Sequence, residues 1–182
     1  MPVLLGRAGF FKERPCGGTG RVSPPLAVRK QWWCKRVRLN YLVGMLNGSC
    51  ACGRIRYEIH GELLGPITYC HCWKCRKHSG SSFGTTAGVS TAEFFVVSGK
   101  ELLSSWESSP GVHRFFASCC GSPIYKRDDA APEVLGFRLG TLDSDPSRIA
   151  GVHFMVGSKA PWVQINDGLP QEPGGVPFGE RD

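Results

Sequence analysis

No run of apolar residues in the 182-residue chain approaches the roughly 18 needed to cross a bilayer, which excludes a membrane-spanning helix. Nor is there a short apolar stretch of the kind a secretory signal carries, so the expected location is the cytoplasm. Charged residues are only 20% of the chain while hydrophobic residues reach 41%, a balance that a disordered polyampholyte does not have. Histidine is scarce: the five residues (His60, His71, His78, His113, His153) include no pair four apart and share no carboxylate motif. What the chain has in excess is glycine, 24 residues, and proline, 13, which predicts many turns, short elements and no long helices. The length suits one domain with a real core plus an appendage.

The net charge of +7 invites a nucleic-acid reading until its location is considered. Residues 1–44 hold nine basic side chains against one acid, Glu13, and the remaining residues come out at −1. A domain that grips phosphates needs a basic face of its own, so nucleic acid is not an expected partner. Residues 1–44 also lack any sustained period of 2 or 3.6 and carry Pro15, Pro24 and Pro25. They read as a disordered basic leader, and an Arg-rich organelle-targeting peptide is one expectation for it. The preferred expectation, given Trp32, Trp33 and Cys34, is a stretch upstream of a true initiator at Met45, just before the first well-patterned segment.

Nine cysteines are present, two in the leader (Cys16 and Cys34) and seven in three groups: Cys50-Ala-Cys52, Cys70-His-Cys72-Trp-Lys-Cys75 and Cys119-Cys120. An odd count without a secretion signal argues against a disulfide framework. Spacing of one or two residues is what a thiolate-bound metal demands, because one tight turn then delivers two ligands to a tetrahedron with metal–sulfur distances of about 2.3 Å. Around these groups the chain reads as strands. Arg54 to Ile59 alternates polar and apolar, and short aliphatic or aromatic runs follow at Glu93 to Val97, Glu101 to Trp106, Val112 to Phe116, Pro123 to Tyr125, Val134 to Leu139 and Val152 to Val156. Helical turns are expected only at Cys75 to Gly80 and Pro146 to Ile149.

Three ordered motifs carry a resemblance: Gly48-Ser-Cys-Ala-Cys-Gly-Arg-Ile-Arg-Tyr-Glu58, Cys70-His-Cys-Trp-Lys-Cys-Arg-Lys-His-Ser-Gly80 and Cys120-Gly-Ser-Pro-Ile-Tyr125. With the tail Gly157-Ser-Lys-Ala-Pro-Trp162 and Asp167-Gly-Leu-Pro170, the chain resembles the glutathione-dependent formaldehyde-activating enzyme and centromere protein V family, in its bacterial aldehyde-activating branch. The resemblance covers about residues 47–172 and implies an all-β fold, a β-tent of antiparallel sheets with two zinc sites. It places the zinc-binding domain at 45–175, leaving a disordered tail at 176–182. It also implies a structural site with Cys50, Cys52 and Cys120 among its ligands, and a catalytic site of Cys70, Cys72 and Cys75 with an open fourth position. One position departs, since Ala117 stands where the family's first knuckle cysteine belongs. Either Cys119 compensates in a strained turn, because neighbours in an extended chain point to opposite sides, or three cysteines hold the ion with water.

Three thiolates around Zn²⁺ with an open position suit a thiol substrate, whose pKa the metal lowers beside a carbonyl carbon. The expected activity is that of a carbon–sulfur lyase on thiol–aldehyde adducts, with a glutathione-like thiol and an aldehyde as small-molecule partners. Arg76, and Lys77 beside it, are candidates for a glutathione carboxylate. His71, between two proposed ligands, is expected to point away from the metal. Phe94, Phe95, Trp106, Phe115 and Phe116 are expected in the core. The competing expectation from another class is a non-catalytic zinc-binding interaction module on the same fold, served by the basic leader.

Overall fold

A computed structural model describes residues 45–180. The expectations for the leader, including Cys16 and Cys34, lie outside the described residues, as do 181–182 of the expected tail. Strands dominate: β1 (Leu46–Ser49), β2 (Arg56–Ile59), β3 (Leu64–Cys70), β4 (Gly84–Ser90), β5 (Phe94–Ser98), β6 (Leu103–Ser109), β7 (Val112–Ala117), β8 (Pro123–Asp128), β9 (Val134–Arg138) and β10 (Ala150–Phe154). One α-helix, α1 (Trp73–Ser79), sits between β3 and β4. Thus the fold is all-β, as expected from the short β-branched and aromatic runs. Among the described residues, no helix is long and apolar enough to cross a membrane.

The strands form a three-stranded sheet, β1-β2-β5, and a seven-stranded sheet ordered β10-β3-β4-β9-β8-β7-β6. All neighbours run antiparallel except β10 and β3, which pair parallel and bring Phe154 beside Cys70. That parallel pair is the one exception in sheets that are otherwise antiparallel among the described residues, as expected. The core lies between the sheets: Tyr57 and Ile59 from β2 meet Val89, Ile124 and Phe137 from the large sheet, all fully buried. Burying side chains of this size stabilises the fold by about 1.5–3 kcal/mol each. The Tyr57 hydroxyl keeps a partner at Thr141 Oγ1, 2.9 Å away, and burial pushes its pKa up to about 12.

Two strands were not expected. β1 is short, and β4 reads Gly-Thr-Thr-Ala-Gly-Val-Ser, a composition usual in loops. It is nevertheless central, because Gly88 faces Gly136 of β9 and the missing side chains let the backbones of β3, β4 and β9 approach. The residues 146–149 form no helix. The aromatic expectation also needs correction: Phe95 and Trp106 are 44% and 40% exposed, while Phe94, Phe115 and Phe116 are half-buried. Within the expected tail, Val176 O accepts a hydrogen bond from Ser158 Oγ and Phe178 packs edge-on against Trp162.

Candidate functional site

The first cysteine group is assembled from two turns. Cys50 and Cys52 follow β1, where Gly53 N donates to Cys50 O at 2.8 Å; Cys119 and Cys120 lie in the turn between β7 and β8. The four Sγ atoms lie within 4.8 Å of one another, with separations of 3.5 Å (Cys50–Cys52), 3.9 Å (Cys50–Cys119) and 3.4 Å (Cys52–Cys119). A tetrahedral thiolate site with about 2.3 Å bonds has edges of about 3.8 Å, so the set can hold a metal ion. Cys119 and Cys120 reach the same point because the chain here is not extended. The N–H groups of Cys120 and Gly121 both donate to Ala117 O, and Gly121 takes φ +78°, a conformation that suits glycine. Neither cysteine has a positive φ, so the expected strain is absent. Ala117 itself is fully buried in the apolar core, and four sulfurs gather without it.

Local hydrogen bonds polarise this cluster. The bond from Arg54 holds the Cys52 thiol below its ordinary range, and Ser122 brings Cys120 down to about 6. Cys119 is pushed up to about 12, by desolvation first and then by its bonds to Cys52 and Cys50. All seven cysteines among the described residues are free thiols.

The second group comes from one stretch. β3 ends at Cys70, Cys72 caps α1 by accepting from Cys75 N at 3.3 Å, and Cys75 lies on the buried face of that helix. Capping moves the helix start to Trp73, two residues before the expected Cys75. The three Sγ atoms lie within 4.8 Å of one another, and among the described residues no fourth cysteine, histidine or carboxylate joins them. Three soft donors in a half-buried niche likewise can hold a metal ion. Cys75 is held well below the ordinary thiol range, first by hydrogen bonds from Cys70 and Cys72 and then by the charges of Arg138 and Arg114.

Those arginines escaped sequence reasoning. Arg114 on β7 and Arg138 at the end of β9 are 5% and 4% exposed. Arg114 Nη1 lies 3.7 Å from Cys75 Sγ, and both terminal nitrogens of Arg138 lie 3.9 Å from it. Arg138 Nη1 also donates to Thr86 Oγ1 at 2.8 Å. Position 84 must be glycine for this approach: a Cβ there would stand 2.7 Å from Arg138 Nη1 and 3.3 Å from Cys75 Cβ. His78, half-buried beside Trp106, is lowered to about 4 by burial and by the two arginines, so it is neutral at pH 7. The one cue in the sequence is an arginine closing the apolar run Val134-Leu-Gly-Phe.

His71 does turn away from the sulfurs, but it is not idle. It is fully buried, with Nε2 2.8 Å from His153 Nδ1, and His153 Nε2 is 2.9 Å from Asp167 Oδ2. The carboxylate can only accept, so His153 Nε2 donates; where His153 Nδ1 accepts, His71 Nε2 is the donor to it. This order leaves His71 Nδ1 as a buried acceptor with no partner. Burial, then His153, lowers His71 to about 4, while the His153 bond lowers the Asp167 carboxyl. The histidines read as scattered thus acquire carboxylates in three dimensions: His153 with Asp167, His60 with Glu58 at 2.8 Å and His113 with Asp129 at 3.0 Å. The tail motif finds its reason here too, since the exposed Asp167 carboxylate is held in place by accepting from Leu169 N and Pro170 O accepts from His153 N.

Of the candidates for an anionic group, Lys77 is exposed. Arg76 is half-buried, its guanidinium 4.8 Å above the Phe178 ring and its Nε without a partner.

A four-thiol set and a three-thiol set carried on two β-sheets define a cysteine-rich β protein able to hold metal at two places. The family model described as glutathione-dependent formaldehyde-activating enzyme matches residues 45–156, and the chain belongs to that family. A Halomonas elongata protein bearing the same family name is 33% identical over 128 residues, covering 66% of this chain and 81% of that protein. A solved Rhodobacter sphaeroides protein aligns over 54% of this chain and 89% of its own, at 24% identity and a TM-score of 0.47.

Proposed function

We propose that residues 45–175 form a zinc-dependent enzyme of the carbon–sulfur lyase type that makes or breaks the thiol–aldehyde adduct of glutathione and formaldehyde. Family membership and the name of the Halomonas elongata relative support the substrates. The observation that carries the chemistry is the group of Cys70, Cys72 and Cys75, three thiols with no fourth protein donor among the described residues, beside two buried arginines. A zinc ion held by these three would lower the pKa of a thiol and polarise a carbonyl.

In the reaction a carbon–sulfur bond forms between the glutathione sulfur and the formaldehyde carbon, and the thiol proton ends on the former carbonyl oxygen. The chain's contribution is to hold and orient. Cys70 is fixed by the β3–β4 and β3–β10 ladders, Cys72 by its capping bond and Cys75 by burial. His71 N donates to Phe154 O at 2.8 Å, and its ring is tied through His153 to Asp167, so the peptide between Cys70 and Cys72 has little freedom. Arg76 is the candidate for a glutathione carboxylate. The four-cysteine group, with its full set of thiol donors, is assigned a structural zinc.

Mixing zinc-loaded protein with glutathione and carbon-labelled formaldehyde, and following the adduct by NMR exchange, tests this reading. Exchange faster than the spontaneous reaction and abolished by Cys75→Ser is expected. Fully zinc-loaded protein that leaves the spontaneous rate unchanged would instead fit the non-catalytic module.

A further inference from the structure

Buried guanidinium groups are costly unless an anion compensates them. Among the described residues, neither Arg114 nor Arg138 has a carboxylate partner, and the Nε of each is buried without a partner. Both point their terminal nitrogens at Cys75 Sγ instead. His78, the titratable neighbour on α1, stays neutral at pH 7 and adds no charge. Three thiolates and a divalent cation carry one negative charge in total. Two arginines therefore overcompensate the centre by one positive charge, and one more thiolate would bring it to neutrality.

We propose that Arg114 and Arg138 are positioning residues that make the Cys70–Cys72–Cys75 centre select an anionic thiolate as its further ligand over neutral donors. The inference rests on the reading that these three cysteines hold a divalent metal. It goes beyond that reading in assigning the ligand's charge to two residues that reach Cys75 from β7 and β9. Without them, a fourth thiolate would leave two negative charges beside Cys75, which is only 6% exposed. With them, binding a thiolate removes the imbalance, and binding imidazole or water leaves it in place.

The test uses full-length protein loaded with cobalt, whose absorption reports the ligands of each ion, titrated separately with glutathione and with imidazole. Arg114→Met and Arg138→Met should each weaken glutathione binding by roughly 30-fold, the loss typical of removing one member of a buried charge pair. Imidazole affinity should change by less than about threefold, and the Arg→Lys variants should recover most of the thiol affinity. Glutamine variants, which keep an amide without charge, serve if a methionine variant does not fold. Unchanged glutathione binding in the neutral variants would overturn the proposal. So would a parallel loss of both ligands in the neutral and lysine variants, the mark of a merely structural role. Wild-type protein in which glutathione perturbs neither cobalt ion would overturn the proposal too, whereas a Cys75→Ser variant that binds as much cobalt as wild type would instead sink the metal reading on which the proposal rests.

Discussion

The two cysteine clusters present the same donor atom in opposite settings. The four-cysteine group draws its ligands from two turns, residues 50–52 and 119–120, and closes on itself with sulfur on every side. The three-cysteine group takes its ligands from a single stretch, Cys70 to Cys75, and what surrounds it is not a fourth donor but two buried arginines and a His71–His153–Asp167 chain behind the ligand peptide. A cluster that stitches distant turns contributes stability, whereas one that is local in sequence contributes little cross-linking and is free to serve chemistry. The difference lies in the surroundings, not in the ligands.

The largest expected effect comes from breaking the local cluster. Cys75→Ser should cost one of two bound metal ions and lower adduct exchange more than about 100-fold, while the melting temperature moves little. Metal analysis of the purified variant checks this, and retention of both ions would break the comparison. The converse substitution, Cys50→Ser, should remove the other ion and lower the melting temperature by roughly 5–10 °C, with the exchange rate per remaining ion within about threefold of wild type. A collapse of activity equal to that of Cys75→Ser would show that the clusters are not separable.

A smaller effect sharpens what stands behind the reactive cluster. His71 has a pKa of about 4 in the fold against 6.5 in an unfolded chain. Between these values the unfolded state binds a proton that the folded state refuses, so this stability is present above pH 6.5 and is lost as the pH falls toward 4. Melting temperatures measured across that window should fall in wild type and fall less steeply in His71→Asn. Equal slopes would remove His71 from the account. The smallest effect is expected at Ala117, where introducing cysteine into the core should leave chelator-driven metal loss unchanged, because four sulfurs already meet without it.

Period-2 alternation made β2 legible, and the grouping of cysteines in the sequence made the gathering of their sulfurs legible. β4 escaped because Gly88 makes room for the backbone of β3 and Gly84 for Arg138 and Cys75, requirements that have no local signature. The misreading at Cys119 and Cys120 came from assuming extended backbone, whereas Gly121 and the two bonds to Ala117 O make a turn that aims both thiols one way. Arg114 and Arg138, 24 residues apart, meet Cys75 only through the order of the strands, which no spacing encodes. The same holds for His153 and Asp167, joined by a turn of the chain that brings residue 167 back onto β10.

Cadmium NMR of the doubly loaded protein tests the division of labour most directly. Two resonances in the thiolate range are expected, and adding glutathione should shift one, the resonance missing from Cys75→Ser, while leaving the other unmoved. If both resonances shift, or only the one missing from Cys50→Ser, the assignment of a reactive cluster and a closed one is contradicted.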